Sequence, residues 1–153
     1  MTGLLALALV AGGVVAEPPP PFIEASNCGS LFCAWVIGVS PDGLVTVEIP
    51  KAPHAGRKYR LSPRAFAHFR AAVVRERPLE LSGSLGDLRV DGPQRTIRVA
   101  EGSQTTSIRL YSTPPGFERL YRSDSSGLAR ALRVCEAVRQ LGGADLASCV
   151  DVR

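Results

Sequence analysis

An α+β fold, an antiparallel sheet with helices on one face, is what this chain of 153 residues predicts. Three observations carry that expectation. Apolar residues alternate with polar ones over short runs, as half-buried strands require. Hairpin-type turn residues separate the runs. A hairpin followed by a proline-led helix occurs twice, which segregates strands from helices.

Residues 1–16 read as a removable secretory leader. Leu4 to Ala11 form an apolar run bounded by small residues, with Val14 and Ala16 at the positions a signal peptidase inspects. The run is shorter than the roughly 20 apolar residues that span a bilayer. No stop-transfer charges follow, so no stable membrane span is expected after cleavage. Glu17 and Pro18 to Pro21 then form an extended tether, 17–21, that can build no core. A single α+β domain is expected over 22–153. No cysteine stands at the cleavage site, which argues against a lipid anchor.

The strands begin after the first cysteine pair. Trp35, Ile37 and Val39 alternate on one face, Pro41-Asp42-Gly43 makes a turn, and Val45, Val47 and Ile49 return. Trp35 reads as core. A loop from Pro50 to Lys58 leads to Ser62-Pro63, an N-cap followed by the residue best suited to the first helical position. That helix is predicted to run to about Arg75 and to stop near Pro78, with Phe66, Phe69 and Val73 as its apolar stripe. Leu79 to Leu81 and Leu88 to Val90 are placed as short strands between the two units. The second hairpin runs from near Arg95 through Ile97 and Val99, turns at Glu101-Gly102-Ser103, and returns through Ile108 and Leu110. Thr113-Pro114 caps a second helix start, and Phe117 follows Pro114 by three residues as Phe66 follows Pro63. A last helix is expected over about 126–141, lined by Leu128, Leu132, Cys135 and Val138 and ended by Gly142-Gly143.

Cys28, Cys33, Cys135 and Cys149 allow three pairings. In an exported chain they should be oxidised, and the simplest arrangement is local, Cys28–Cys33 and Cys135–Cys149. The spacing fits neither a zinc site nor a thioredoxin-type redox pair. His54 and His68 lie far in sequence from either cysteine pair. The periplasm or the medium is therefore the expected location.

The residues that open the domain resemble a family. Cys28 and Cys33, Trp35, Asp42-Gly43, Gly56, Leu61-Ser62-Pro63, Phe66 and then Ile108 to Phe117 follow a recurring order. They resemble an uncharacterised bacterial domain family, exported in many members, with a Cys-x-x-x-Cys-Pro-x-Tyr opening, an Asp-Gly hairpin and a capped helix. In this chain the cysteine spacing is one residue longer, Ala34 replaces the proline and Trp35 the tyrosine. The resemblance implies the α+β fold and an exported setting; the family has no settled activity to transfer.

The formal charge is +4, and Lys51 and Lys58 are the only lysines. Coding bias explains an arginine-rich composition, and so would an anion-binding surface. The sharpest candidate surface is the first helix. Arg64, His68 and Arg75 fall on one side, opposite the apolar stripe, with Arg57, Lys58 and Arg60 just upstream. An acidic peptide, a phosphate or an anionic glycan would suit such a cluster; an ordinary solvated helix face would show the same pattern. Nucleic acid is a poor fit, because stacking aromatics are scarce. Ser82-Gly83-Ser84-Leu85-Gly86 misses the spacing of a nucleophile elbow. Asp42 and Asp91 read as turn residues, Asp124 to Gly127 as a helix cap, and Glu80 with Asp87 as exposed acids. No catalytic set, metal or cofactor is assigned. The expected function is an exported binding or protein-interaction module for an unidentified protein or anionic ligand. The alternatives are an exported hydrolase using His68, and a secreted inhibitor whose cysteine loop or Pro50–Gly56 loop plugs a target.

Overall fold

Alternating side chains build the sheet. The computed structural model describes residues 21–29, 31–86, 94–113, 117–120 and 122–150. The strands are β1 (Ile23–Cys28), β2 (Cys33–Val39), β3 (Leu44–Glu48), β4 (Arg57–Arg60), β5 (Gly83–Leu85), β6 (Gln94–Glu101) and β7 (Gln104–Leu110). Among the described residues they form one sheet in the order β4-β3-β2-β1-β6-β7-β5. Both expected hairpins are present, β2–β3 and β6–β7, each antiparallel. The α+β fold is thus as expected, and the sheet is mostly antiparallel.

Four details differ from the sequence reading. β1 is an unassigned strand that joins the hairpins at the centre of the sheet, with Ala25 opposite Ile37 on one side and Ile97 on the other. The loop after Pro50 ends at Ala55–Gly56, because Arg57 and Lys58 already pair with Val47 and Thr46 as edge strand β4. Leu79 to Leu81 is not a strand; Pro78–Glu80 is a single 3-10 turn, entered through Arg77 with φ of 48°. β5 is a further unassigned strand, parallel to β7. The segment 88–90 lies outside the described residues, as do Asp87, Asp91, the Pro114 helix start and the leader and tether up to Pro20.

One face of the sheet is closed by helices. Ile23, Ala25, Trp35, Ile37, Val39, Val45, Val47, Ile97, Val99, Ile108 and Leu110 are all buried. Against them pack α1 (Pro63–Arg75) and α3 (Gly127–Gly142), with the one-turn α2 (Phe117–Leu120) between them in the chain. Both long helices start as capping chemistry requires. Ser62 Oγ accepts from the Ala65 N–H at 3.2 Å, and Ser126 Oγ from the Ala129 N–H at 3.3 Å. Phe69 and Val73 of α1 are buried, while Phe66 is partly so, edge-on to Phe22 with ring centroids 6.4 Å apart. Leu132, Cys135 and Val138 of α3 are fully buried.

Two glycines allow close approach. Gly43, at φ of +82° in the β2–β3 turn, lies under Phe66, whose ring would stand 3.3 Å from an added Cβ. At the end of α3, a Cβ on Gly142 would collide with Ile37 at 2.6 Å and Leu146 at 2.3 Å. The helix end therefore lies directly on the sheet.

The disulfides are Cys28–Cys33 and Cys135–Cys149, the local pairing. Trp35 is 1% exposed. Its indole N–H donates to the Ala147 carbonyl at 3.1 Å, which fastens the segment after α3 to β2. The Tyr59 hydroxyl donates to the Leu141 carbonyl at 2.6 Å, and Arg57 donates to the Gly142 carbonyl; both tie edge strand β4 to the end of α3.

Candidate functional site

The helix period places the basic residues before any contact is considered. At about 100° per residue, Arg64, His68 and Arg75 fall within roughly 40° of arc. Phe69 and Val73 lie on the other side and are buried, so the three basic residues must face water, and all three are exposed. None of the three makes an ion pair or a side-chain hydrogen bond with a described residue. The first turn of α1 contains no acid. Arg64 therefore adds its charge to the positive end of the helix dipole, where a cation is normally disfavoured.

The neighbouring arginines behave differently. Arg60 donates to the Asp42 carboxylate at 2.7 Å and to the Asp42 carbonyl at 2.8 Å. It braces the β2–β3 turn and does not join the exposed face of Arg64, His68 and Arg75. A hydrogen bond from Ser40, with the Arg60 partner second, holds the Asp42 carboxyl at about 2. Arg70 of α1 pairs with Glu101 at 2.6 Å. Arg98 pairs with Glu24, Arg133 with Glu76 and Arg139 with Glu136. Among the described residues, Arg64 and Arg75 lack the carboxylate partners that Arg60, Arg70, Arg98, Arg133 and Arg139 have.

Among the described residues, no carboxylate pairs with His68. Of the acids that follow α1, Glu76 is held by Arg133 at 2.7 Å, and Glu80 by Arg130 at 3.3 Å and Arg77 at 3.6 Å. Grooves of about 410 and 210 Å³ lie on the open sheet face around Glu24, the first with Arg98 and the second with Gly38. A third, of about 290 Å³, runs beside the end of α1 between Val73, Val74, Leu79 and Val99. His68 lines none of these three. Among the described residues, no group of three or more His, Cys, Asp or Glu is placed to hold a metal ion.

One feature of the surface escaped the sequence reading. Leu31 and Phe32, inside the cysteine loop, are 89% and 47% exposed. The Lys51 ammonium lies 3.4 Å from the centre of the Phe32 ring. The available signal was two consecutive apolar residues where a hairpin loop ordinarily carries polar ones.

No family model matches the chain, and no curated protein matches it significantly.

Proposed function

We propose that this chain is an exported binding module that holds an acidic partner on the exposed face of α1. The observation that supports this reading is the exposed pair of guanidinium groups, Arg64 and Arg75, on the same side as His68 and without a described carboxylate partner, on a helix whose N-terminal turn has no acid. A face of that kind attracts carboxylates, phosphates or sulfates, and Arg adds bidentate geometry. A hydrolase using His68 has less support, because no described carboxylate orients its ring. Export is part of the same reading. The leader at 1–16 and two disulfides fit an oxidising compartment, and no described helix is long and apolar enough to cross a membrane. Likeness to the exported bacterial domain family would place this module among its members. Intact mass of the exported protein is expected to show a chain that starts at Glu17; a retained leader would remove the basis for export.

Retention on immobilised heparin or polyglutamate tests the binding face. The wild type should be retained and released by salt, since exposed charges are screened over roughly 10 Å at 0.1 M. Arg64→Glu with Arg75→Glu should abolish retention and leave folding intact, because exposed ion pairs are worth only about 0–1 kcal/mol. The same charge change at exposed Arg109 and Arg122 is the control for net charge. If both double variants lose retention equally, the effect is bulk charge and the α1 face is not the site.

A further inference from the structure

The two disulfides sit in different surroundings. Cys135 and Cys149 are both 0% exposed and belong to the core. Cys28 and Cys33 are only half-buried, and Gly29, Phe32 and Ala34 beside them are exposed. Strand register explains the difference. Asn27 faces Trp35 while Cys28 faces Cys33, so Ala34 is an extra residue in β2 and the pairing shifts there. Cys28 follows the buried Asn27, so its side chain turns to the sheet face opposite α1 and α3. The bulge turns Cys33 to the same side. The bridge thus lies on a face that no described helix covers. Its Cα atoms stand 3.8 Å apart, against 6.0 Å in the second bridge. Disulfides ordinarily hold them about 4.4–6.8 Å apart, and bridges outside that range are the more easily reduced.

We propose that Cys28–Cys33 is a thiol-exchange site: an external dithiol opens it reversibly while Cys135–Cys149 and the fold stay intact. A thiolate of the dithiol attacks one sulfur of the bridge, a mixed disulfide forms, and the other cysteine leaves as a thiolate. The second thiol of the reductant then attacks the mixed disulfide. The products are the oxidised reductant, now a disulfide itself, and free Cys28 and Cys33, which have gained two electrons and two protons. The fold tolerates the opening because other contacts hold the strands. Ile23 to Asn27 stay paired with Val39 to Trp35 on one side and with β6 on the other. The Gly29 N–H still donates to the Phe32 carbonyl at 2.8 Å. The cysteines are 5 residues apart in the chain, so the bridge constrains the unfolded state little. The same short spacing makes reclosure by a disulfide oxidant easy.

A reductant reaches Cys135–Cys149 only when the chain after α3 leaves the sheet. That requires the hydrogen bonds from Trp35 to the Ala147 carbonyl and from the Cys149 N–H to Glu136 to break. Buried, hydrogen-bonded segments open rarely in a folded domain. The exchange site uses none of Arg64, His68 and Arg75, so it stands independently of what the α1 face binds.

Graded dithiothreitol on the native, fully oxidised protein, followed by iodoacetamide and peptide mass mapping, tests this. Cys28 and Cys33 should be alkylated at least about tenfold faster than Cys135 and Cys149, because only the first bridge is open to attack. In denaturant the two rates should converge. Trp35 is the only tryptophan of the chain, and its emission should stay that of a buried indole while the first bridge is open. Glutathione disulfide should then restore Cys28–Cys33. Cys28→Ala with Cys33→Ala should leave Cys135–Cys149 as resistant to dithiothreitol as in the wild type. Equal rates in the native protein, or earlier reduction of Cys135–Cys149, would overturn the proposal. A red-shifted Trp35 emission as soon as Cys28–Cys33 opens, or loss of resistance in the alanine pair, would show that the fold needs the bridge and overturn it too. So would a Cys28–Cys33 bridge that opens only in denaturant.

Discussion

Glu136 holds three groups at once. Its carboxylate accepts the Cys149 N–H at 2.6 Å, the Arg139 Nε–H at 2.7 Å and the Ser148 hydroxyl. Burial by itself would push this carboxyl up; the hydrogen bonds from Ser148, Arg139 and Cys149, with the Arg139 charge, outweigh it and hold the carboxyl below its ordinary range. A depressed folded value means that the ionised form stabilises the fold. That contribution is complete above the unfolded carboxyl value of about 4.3 and is lost as pH falls through the folded value. Glu136→Gln should therefore lower stability at neutral pH by about 1.5–3 kcal/mol and flatten the acid side of the stability curve. Denaturant midpoints taken across the acid range check both. A variant whose loss is the same at every pH would mean that packing, and not the charge, is what Glu136 supplies. Residue order predicts a helix over about 126–141 with Cys135 on its buried side, yet it does not mark Glu136, because the partners of Glu136 lie on a segment with no periodic signal.

At the scale of elements, the two disulfides serve different lengths of chain. Cys135–Cys149 spans 14 residues and Cys28–Cys33 spans 5. Loop-closure entropy alone makes the first worth about 3 kcal/mol and the second about 2. The longer bridge also acts beside the Glu136 clamp on the same segment, and Trp35 holds that segment at Ala147. Replacement of Cys135 and Cys149 by Ala should therefore lower the denaturant midpoint more than replacement of Cys28 and Cys33. The reverse order would show that the hairpin tip, and not the chain after α3, limits stability. α1 illustrates the opposite case, an element whose bounds follow from local chemistry. Ser62 caps it, Pro63 starts it, and the chain leaves it through the left-handed Arg77 just before Pro78.

Across the whole molecule, strand order sets where the structure opens first. β1 lies between β2 and β6 and contributes to one core with α1 and α3, while β4 and β5 are edges. Hydrogen exchange should find the slowest amides on β1, β2 and β6, and the fastest strand amides on β4 and β5, which are open on one side. Protection of β4 equal to that of β1 would mean that its ties to α3, through Tyr59 and Arg57, weigh more than its edge position. The same layout puts the α1 face and the Leu31–Phe32 tip towards opposite ends of the strands, so one can be altered without disturbing the other.

Local rules determined a good part of this protein. Alternation at Trp35–Val39 and at Ile97–Val99, the Pro-Asp-Gly turn, the serine caps and the apolar stripes of both long helices were legible from residue order, because each depends on neighbours within a few positions. The basic face of α1 was legible for the same reason: helical spacing alone put Arg64, His68 and Arg75 together. Tertiary structure decided the rest. β1 has an alternating pattern from Ile23 to Asn27, but a short run beside a proline tether becomes a central strand only when both hairpins pair with it. β4 has no apolar period and is a strand because β3 needs a partner. Arg60 left the basic cluster because the β2–β3 turn brought Asp42 within reach, 18 residues away in the chain. The exposure of Leu31 and Phe32 depends on what the fold leaves uncovered, a long-range property that residue order does not contain.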